Sequence, residues 1–269
     1  MSEQPRRITA RDLVPHLDAL SDVKVIGLGG VGVPTARYAA LYLASLDANT
    51  RMVLIDSDSF ERSNATRMFF GGAGKKVDVV RSDLLASLKH SRLSLESIEE
   101  YVSADNIEDL IQEGDIVLLA VDNHATRKLV SDFCANRRRD ICLISGGNDG
   151  VGKDSLGREL RGTAGNCQIY IRRDGVDITP SLTEYHDEIE NPKDAAPDPG
   201  CAVLVETTPQ IVFTNLMVAV TMLDALWLHL CGVLHYPEIT FDIAEGLMRP
   251  VHLSPGKRRR RAEHPPSAA

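Results

Sequence analysis

The sequence predicts an α/β protein built on a doubly wound, mostly parallel, Rossmann-like sheet. Three observations carry that expectation. Short apolar runs alternate with helix-length segments from residue 23 to residue 144, the first run is followed at once by a glycine turn, and a long apolar helix brings the chain back to the core late in the sequence.

The first run, Val23 to Ile26, leads into Gly27-Leu28-Gly29-Gly30-Val31-Gly32 and a helix-like segment through Leu46, which reads as strand, turn and helix. A second strand, Met52 to Ile55, ends in Asp56-Ser57-Asp58, and a polar segment leads to a helix from about Lys76 to Lys89. Further strands are expected at Ile98 to Val102, Ile116 to Val121 and Ile141 to Ile144, with helices at Asn106 to Gln112 and His124 to Arg137. After Ser145-Gly146-Gly147 the chain turns polar and Gly-rich, with one strand at Gln168 to Arg172. Residues 177–200 hold several Pro and acidic residues without periodicity and read as a mobile crossover loop. An apolar helix, Pro209 to Leu230, and a strand, Ile239 to Ile243, complete the same domain. The chain thus divides into an arm (1–22), a nucleotide-binding core (23–147), a crossover region with the long helix (148–250) and a basic tail (251–269) expected to be disordered.

Bulk properties narrow the function classes. The 269 residues carry a net charge of −8 even though Lys257-Arg258-Arg259-Arg260-Arg261 is a run of cations, so the body is more acidic than the total. An acidic body argues against duplex nucleic acid as the main ligand. Cys134, Cys142, Cys167, Cys201 and Cys231 form no close CxxC pair, which fits neither a disulfide framework nor a zinc knuckle and suggests a reducing cytoplasm. The first ten residues lack an apolar signal core. Ile211 to Leu230 contains Asn215, Asp224 and His229, so it reads as a buried helix rather than a membrane span.

The glycine turn has GxGxxG spacing at Gly27, Gly29 and Gly32, with Gly30 adding a further position without a side chain. Missing side chains let backbone N–H groups approach phosphates at a helix N-terminus, where the dipole favours anions. Asp56, at the end of the second strand, is placed to accept from ribose hydroxyls, which serves NAD and ATP equally. Lys75 and Lys76 also have a plain reading as a solvated helix start, Asp122 as a helix N-cap and Arg127 as a surface residue.

Four segments in order separate the nucleotides: the glycine turn, Asp56-Ser57-Asp58-Ser59-Phe60-Glu61-Arg62-Ser63-Asn64-Ala65-Thr66-Arg67, Gly72-Ala73-Gly74-Lys75-Lys76, and Asp122-Asn123 with Arg127 beyond. Together they resemble the D-x-D…S-N-x-x-R, G-x-x-K and D-N-x-x-x-R elements of the ThiF-type adenylyltransferases, the superfamily of ubiquitin-activating enzymes and sulfur-carrier activators. The resemblance implies ATP and Mg²⁺, and activation as acyl-AMP of the C-terminal carboxylate of a ubiquitin-like or sulfur-carrier protein ending in glycine. A tRNA base, a peptide carboxylate or a non-catalytic scaffold role are the alternatives. It further implies that Arg67 and Lys76 hold phosphates, with Lys75 competing for the lysine position. Asp122 would bind Mg²⁺, Asp56 and Asp58 would serve the nucleotide, and Asn64 would hold a phosphate or its metal. A homodimer is implied as well.

Three departures from the pattern stand out. The zinc-binding CxxC pairs are missing, Arg6, Arg7 and Arg11 are only candidates for the N-terminal arginine, and the length leaves no room for a separate catalytic-cysteine domain. Cys201, shortly before the apolar helix, matches the place of a cysteine that can take the activated acyl group. A small packed residue at a helix entrance is the competing reading of Cys201.

Overall fold

Strands covered on both faces read as unbroken apolar runs, and the centre of this sheet is made of such runs. The computed structural model describes residues 8–16, 21–46, 48–61, 64, 69–89, 91–153, 157, 159–194 and 210–251. After a 3-10 turn at Ala10–Asp12 come β1 (Val23–Ile26), α1 (Gly32–Ser45), β2 (Thr50–Ile55), the paired short strands β3 (Ser59–Phe60) and β4 (Gly74–Lys75), and α2 (Lys76–Ser87). Then follow β5 (Leu93–Ile98), α3 (Ile107–Leu110), β6 (Ile116–Leu119), α4 (His124–Arg137) and β7 (Ile141–Asn148). The second half contains the hairpin β8 (Val151–Lys153) and β9 (Glu159–Arg161), then β10 (Ala164–Arg173) and β11 (Val176–Asp177). A 3-10 turn at Leu182–Glu184, α5 (Asp187–Glu190), α6 (Val212–Leu230), β12 (Glu238–Asp242) and β13 (Leu247–Val251) complete it.

The main sheet runs β13-β12-β10-β7-β6-β1-β2-β5, with β11 beside β10. The five strands from β7 to β5 are parallel, and β10 to β13 add an antiparallel extension. Within the parallel part the chain moves outward from β1 through β2 to β5 and then returns to the other side of β1 for β6 and β7. The order therefore reverses between β1 and β6, and a crevice opens at their carboxyl ends, where ligands of doubly wound sheets bind.

Alternate residues of each strand feed two separate cores. Val23, Val25, Met52 and Leu54 pack with α1, α2 and α6. Ile26, Val53, Ile55, Val117 and Leu119 pack with α3, α4 and α5 on the opposite face. α6 is long and apolar enough to cross a membrane by length and composition, yet it sits as a core helix here, with Val218, Met222, Ala225 and Leu226 fully buried.

Several boundaries differ from expectation. The third parallel strand is Leu93–Ile98, not Ile98 to Val102. As the edge strand it alternates buried and exposed at its start, a weaker signal than the apolar run beside it. Residues 99–102 instead run past the strand's end toward the crevice. β6 stops at Leu119 and β7 continues through Gly146 and Gly147 to Asn148, because β10 pairs with all eight of its residues. That pairing joins residues far apart in sequence, so local composition gave no sign of it. The 177–200 crossover holds a 3-10 turn and α5 within its described part, and β13 was not anticipated. α6 begins at Val212, three residues after Pro209, which itself lies outside the described residues, as does the tail from residue 252.

Candidate functional site

A cleft of about 1110 Å³ opens at the carboxyl ends of β1, β2, β6 and β7. It brings together Gly27, Gly29, Gly30, Asp56, Asp58, Asn64, Lys76 and Asp122 from the sequence-derived candidates. Gly32 is not in the wall, and its role is packing. A Cβ there would lie 1.8 Å from the Gly27 carbonyl oxygen, so only glycine lets α1 seat against the turn. Gly27 takes a left-handed φ of 88° and donates its N–H to Ile55 O at 2.9 Å, which turns the chain out of β1.

The two helices that begin at the crevice differ at their N-termini. At α4, Asn123 Oδ1 accepts from Thr126 N at 2.7 Å, and the Asp194 carboxylate accepts from His124 N and Ala125 N at 2.7 and 3.0 Å. Asn123, not Asp122, is therefore the N-cap. α1 has no side-chain cap, and its approach, Gly29-Gly30-Val31, lines the cleft. In the first turn of α1 the Val33 and Thr35 N–H groups are bonded to Gly29 O and Val31 O and Pro34 has none, but no bond from the N–H of Gly29, Gly30 or Val31 is found among the described residues, so the turn ahead of α1 is open to an anion whereas the start of α4 is filled by a carboxylate. The phosphate end of the cleft is thus the α1 end.

Asp56 is 8% exposed and ties the turn to β2: Oδ2 accepts from Leu28 N at 2.5 Å and Oδ1 from Asp58 N at 2.7 Å. Burial raises its carboxyl above the usual carboxylate range, and the nearby Lys76 ammonium offsets only part of that. Lys76 is itself buried; its Nζ donates to Asp58 Oδ2 at 2.7 Å and lies 3.9 Å from Asp56 Oδ1. Burial pushes the Asp58 carboxyl up, but hydrogen bonds from Lys76 and Tyr101 prevail and hold it below the usual range. Lys75 points elsewhere, to Ser57 O at 3.1 Å and Glu99 Oε1 at 2.7 Å, and is absent from the cleft wall. Asn64 is in the wall, its Oδ1 accepting from Glu61 N at 2.8 Å.

Asp122 is exposed at the mouth, and no hydrogen bond to its carboxylate is found among the described residues. Among those residues, no group of three or more His, Cys, Asp or Glu could hold a metal by itself. Magnesium keeps much of its shell from water and substrate phosphates and needs only one or two protein carboxylates. Asp122 fits that requirement, while Asp56 and Asp58 are engaged by their own donors. Arg67 and Cys201 lie outside the described residues.

Arg127 is no surface residue. It is 6% exposed and donates to Ser145 Oγ at 3.0 Å, Val121 O at 2.8 Å and Gly146 O at 2.6 Å, holding the ends of β6 and β7 around the cleft. Burial lowers its pKa to about 10, so it stays charged at neutral pH. Arg127→Met leaves three acceptors without their donor and is expected to destabilise the fold by about 3 kcal/mol, read as a lower urea midpoint. An unchanged midpoint would show that water replaces the guanidinium at no cost.

Sequence reading missed the rest of the wall. Glu100, Tyr101 and Val102 come from the segment misassigned as a strand, and Asn148, Asn166, Gln168 and Thr240 come from β7, β10 and β12. One signal was present: Asn166 and Gln168 are polar residues two apart in the small and apolar run Ala164 to Ile171.

A model of the ThiF family matches residues 11–247. The chain belongs to the ThiF family. Among curated relatives, this ThiF-family chain is 36% identical over 130 residues to the adenylyltransferase and sulfurtransferase MOCS3 of Drosophila yakuba, covering 47% of the chain and 27% of that protein. It is 32% identical over 129 residues to the SAMP-activating enzyme E1 of Haloferax volcanii, covering 47% of the chain and 45% of the relative. The match therefore spans less than half of either relative. Among solved structures, E. coli MccB with MccA-N7isoASN superposes with a TM-score of 0.62 at 16% identity, over 87% of this chain and 66% of that one. PaaA gives a TM-score of 0.59 at 18% identity, over 86% and 63%. At these identities the likeness is one of fold, and it agrees with the doubly wound ThiF-family architecture.

Proposed function

We propose that this ThiF-family chain is an ATP-dependent adenylyltransferase that activates the C-terminal carboxylate of a ubiquitin-like or sulfur-carrier protein as acyl-AMP. The observation that carries the reading is the convergence of the uncapped glycine turn, Asp56, Asn64, Lys76 and Asp122 on one cleft at the sheet's switch point. The names of the Drosophila and Haloferax relatives support the reaction class and the carrier substrate.

In the reaction, a carboxylate oxygen forms a bond to the α-phosphorus as the bond to pyrophosphate breaks. Two anions meet, so positioned donors and cations must offset the charge. The backbone N–H groups of the Gly29-Gly30-Val31 turn ahead of α1 and the Lys76 ammonium do so from one side. Each Asp56 oxygen already accepts one backbone N–H and retains a lone pair for a ribose hydroxyl. Asp122 would hold a magnesium ion accompanying the nucleotide, which would offset phosphate charge. Later transfer of the acyl group to Cys201 rests on the resemblance alone.

A dinucleotide oxidoreductase would use the glycine turn and Asp56 but gives Asn64, Lys76 and Asp122 no purpose. Titration calorimetry separates the two: Mg-ATP should bind, and pyrophosphate should exchange into ATP when a carrier protein is added. Binding of NAD with none of Mg-ATP would end the adenylyltransferase reading.

A further inference from the structure

Residues 99–101, which run past the end of β5, reach across the crevice mouth to the segments that carry Asp58 and Lys76. Glu99 Oε1 lies 2.7 Å from Lys75 Nζ, and the Tyr101 hydroxyl donates to Asp58 Oδ1. The segment is itself pinned by Asn106, just ahead of α3. Asn106 Nδ2 donates to Tyr101 O at 2.9 Å and to Glu100 Oε2 at 2.7 Å, and its Oδ1 accepts from Ser103 N at 2.8 Å. Tyr101 is thus fixed through its backbone, half-buried in the cleft wall and aimed at one carboxylate.

Two donors meet on Asp58, one on each oxygen. Lys76 Nζ donates to Oδ2 at 2.7 Å, and the phenol serves Oδ1. Burial, then the bond to Asp58, push the Tyr101 pKa above its ordinary value, so the hydroxyl remains a donor at neutral pH.

The two donors are not equivalent. The ammonium is a cation that phosphates also attract, whereas the phenol is neutral and fixed. A carboxylate without a second donor competes hardest for an ammonium, and one already hydrogen-bonded competes less. Asp58 is 47% exposed in the open cleft, where water can serve it, but a nucleotide seated between Asp56 and Lys76 takes that water away. The phenol is then the donor that stays.

We propose that Tyr101 is a positioning residue for Lys76, acting through Asp58: its hydroxyl keeps a donor on the carboxylate, so that the ammonium can shift toward the phosphates when a nucleotide binds. The proposal rests on the adenylyltransferase reading for the identity of the phosphate ligand. A tyrosine that instead touched base or ribose would act whether or not Asp58 carried a charge.

The test is calorimetry on the full chain, with Mg-ATP titrated directly and adenosine measured by its displacement of Mg-ATP. Tyr101→Phe should weaken Mg-ATP binding about fivefold and adenosine binding by less than about twofold, because adenosine has no phosphate for Lys76 to meet. Asp58→Asn, which removes the competing charge, should bind Mg-ATP at least as tightly as the wild type. In that background Tyr101→Phe should cost less than about twofold, since neighbours acting through one shared partner are not additive. Equal losses for ATP and adenosine, a full Tyr101→Phe effect in Asp58→Asn, or weaker Mg-ATP binding by Asp58→Asn alone would overturn the proposal. Should Tyr101→Phe fail to fold, the Asp58→Asn titration decides by itself. A wild-type chain that binds no Mg-ATP would end the adenylyltransferase reading, and the proposal with it; the other outcomes strike the proposal and leave that reading standing.

Discussion

Asp122→Ala is expected to lower pyrophosphate exchange by roughly a hundredfold or more, on the order of 3 kcal/mol, while lowering the unfolding midpoint only slightly. The two halves of that expectation have separate causes. Asp122 is exposed and makes no hydrogen bond among the described residues, and the helix beside it is capped by Asn123 and Asp194, so its removal takes no hydrogen bond or cap from the fold and only part of the charge that supports buried Arg127, a part Asp194 and Glu188 share. In the proposed reaction its carboxylate would hold the magnesium ion that offsets phosphate charge, so its loss is expected to act on the rate. Exchange at the wild-type rate would remove Asp122 from the mechanism. A strongly lowered midpoint would instead assign it a mainly structural part.

The second large effect is a contrast between neighbours. Lys76→Met should reduce exchange by roughly a hundredfold and weaken Mg-ATP binding, whereas Lys75→Met should change either by less than about threefold. Lys76 is the ammonium inside the cleft, 2.7 Å from Asp58 and 3.9 Å from Asp56. Its loss leaves those two carboxylates facing the phosphates with no ammonium between them. The sign for Asp58 follows: its carboxyl, held low by Lys76 and Tyr101, moves up when Lys76 is gone, so more of it is protonated at mildly acidic pH in the variant. Lys75 lies outside the cleft wall, bonded to Ser57 O and paired with Glu99 at the surface, where both side chains are about half exposed and such pairs contribute little. Nucleotide calorimetry and exchange on both variants decide the matter, and a larger loss in Lys75→Met would reverse the assignment.

The sequence by itself determined the parts that depend on short stretches of chain. The run Val23 to Ile26, the turn that follows and the seat of Gly32 against Gly27 are all set within ten residues, so pattern and spacing were enough. Asp56 and Asp122 were legible for the same reason, each standing at the end of an apolar strand. The choice between Lys75 and Lys76 was not. Adjacent residues at a helix start point in different directions, and the direction is set by the pairing of Ser59 with Lys75 across β3 and β4, a contact made through residues 60–73. The edge strand β5 was misplaced because one of its faces is wet, which dilutes the apolar signal that marks buried strands. The far end of the cleft left only one trace in the sequence, the polar pair Asn166 and Gln168. Asn148, Asn166, Gln168 and Glu238 come from three strands whose register is decided by long-range pairing, and only that register brings them together.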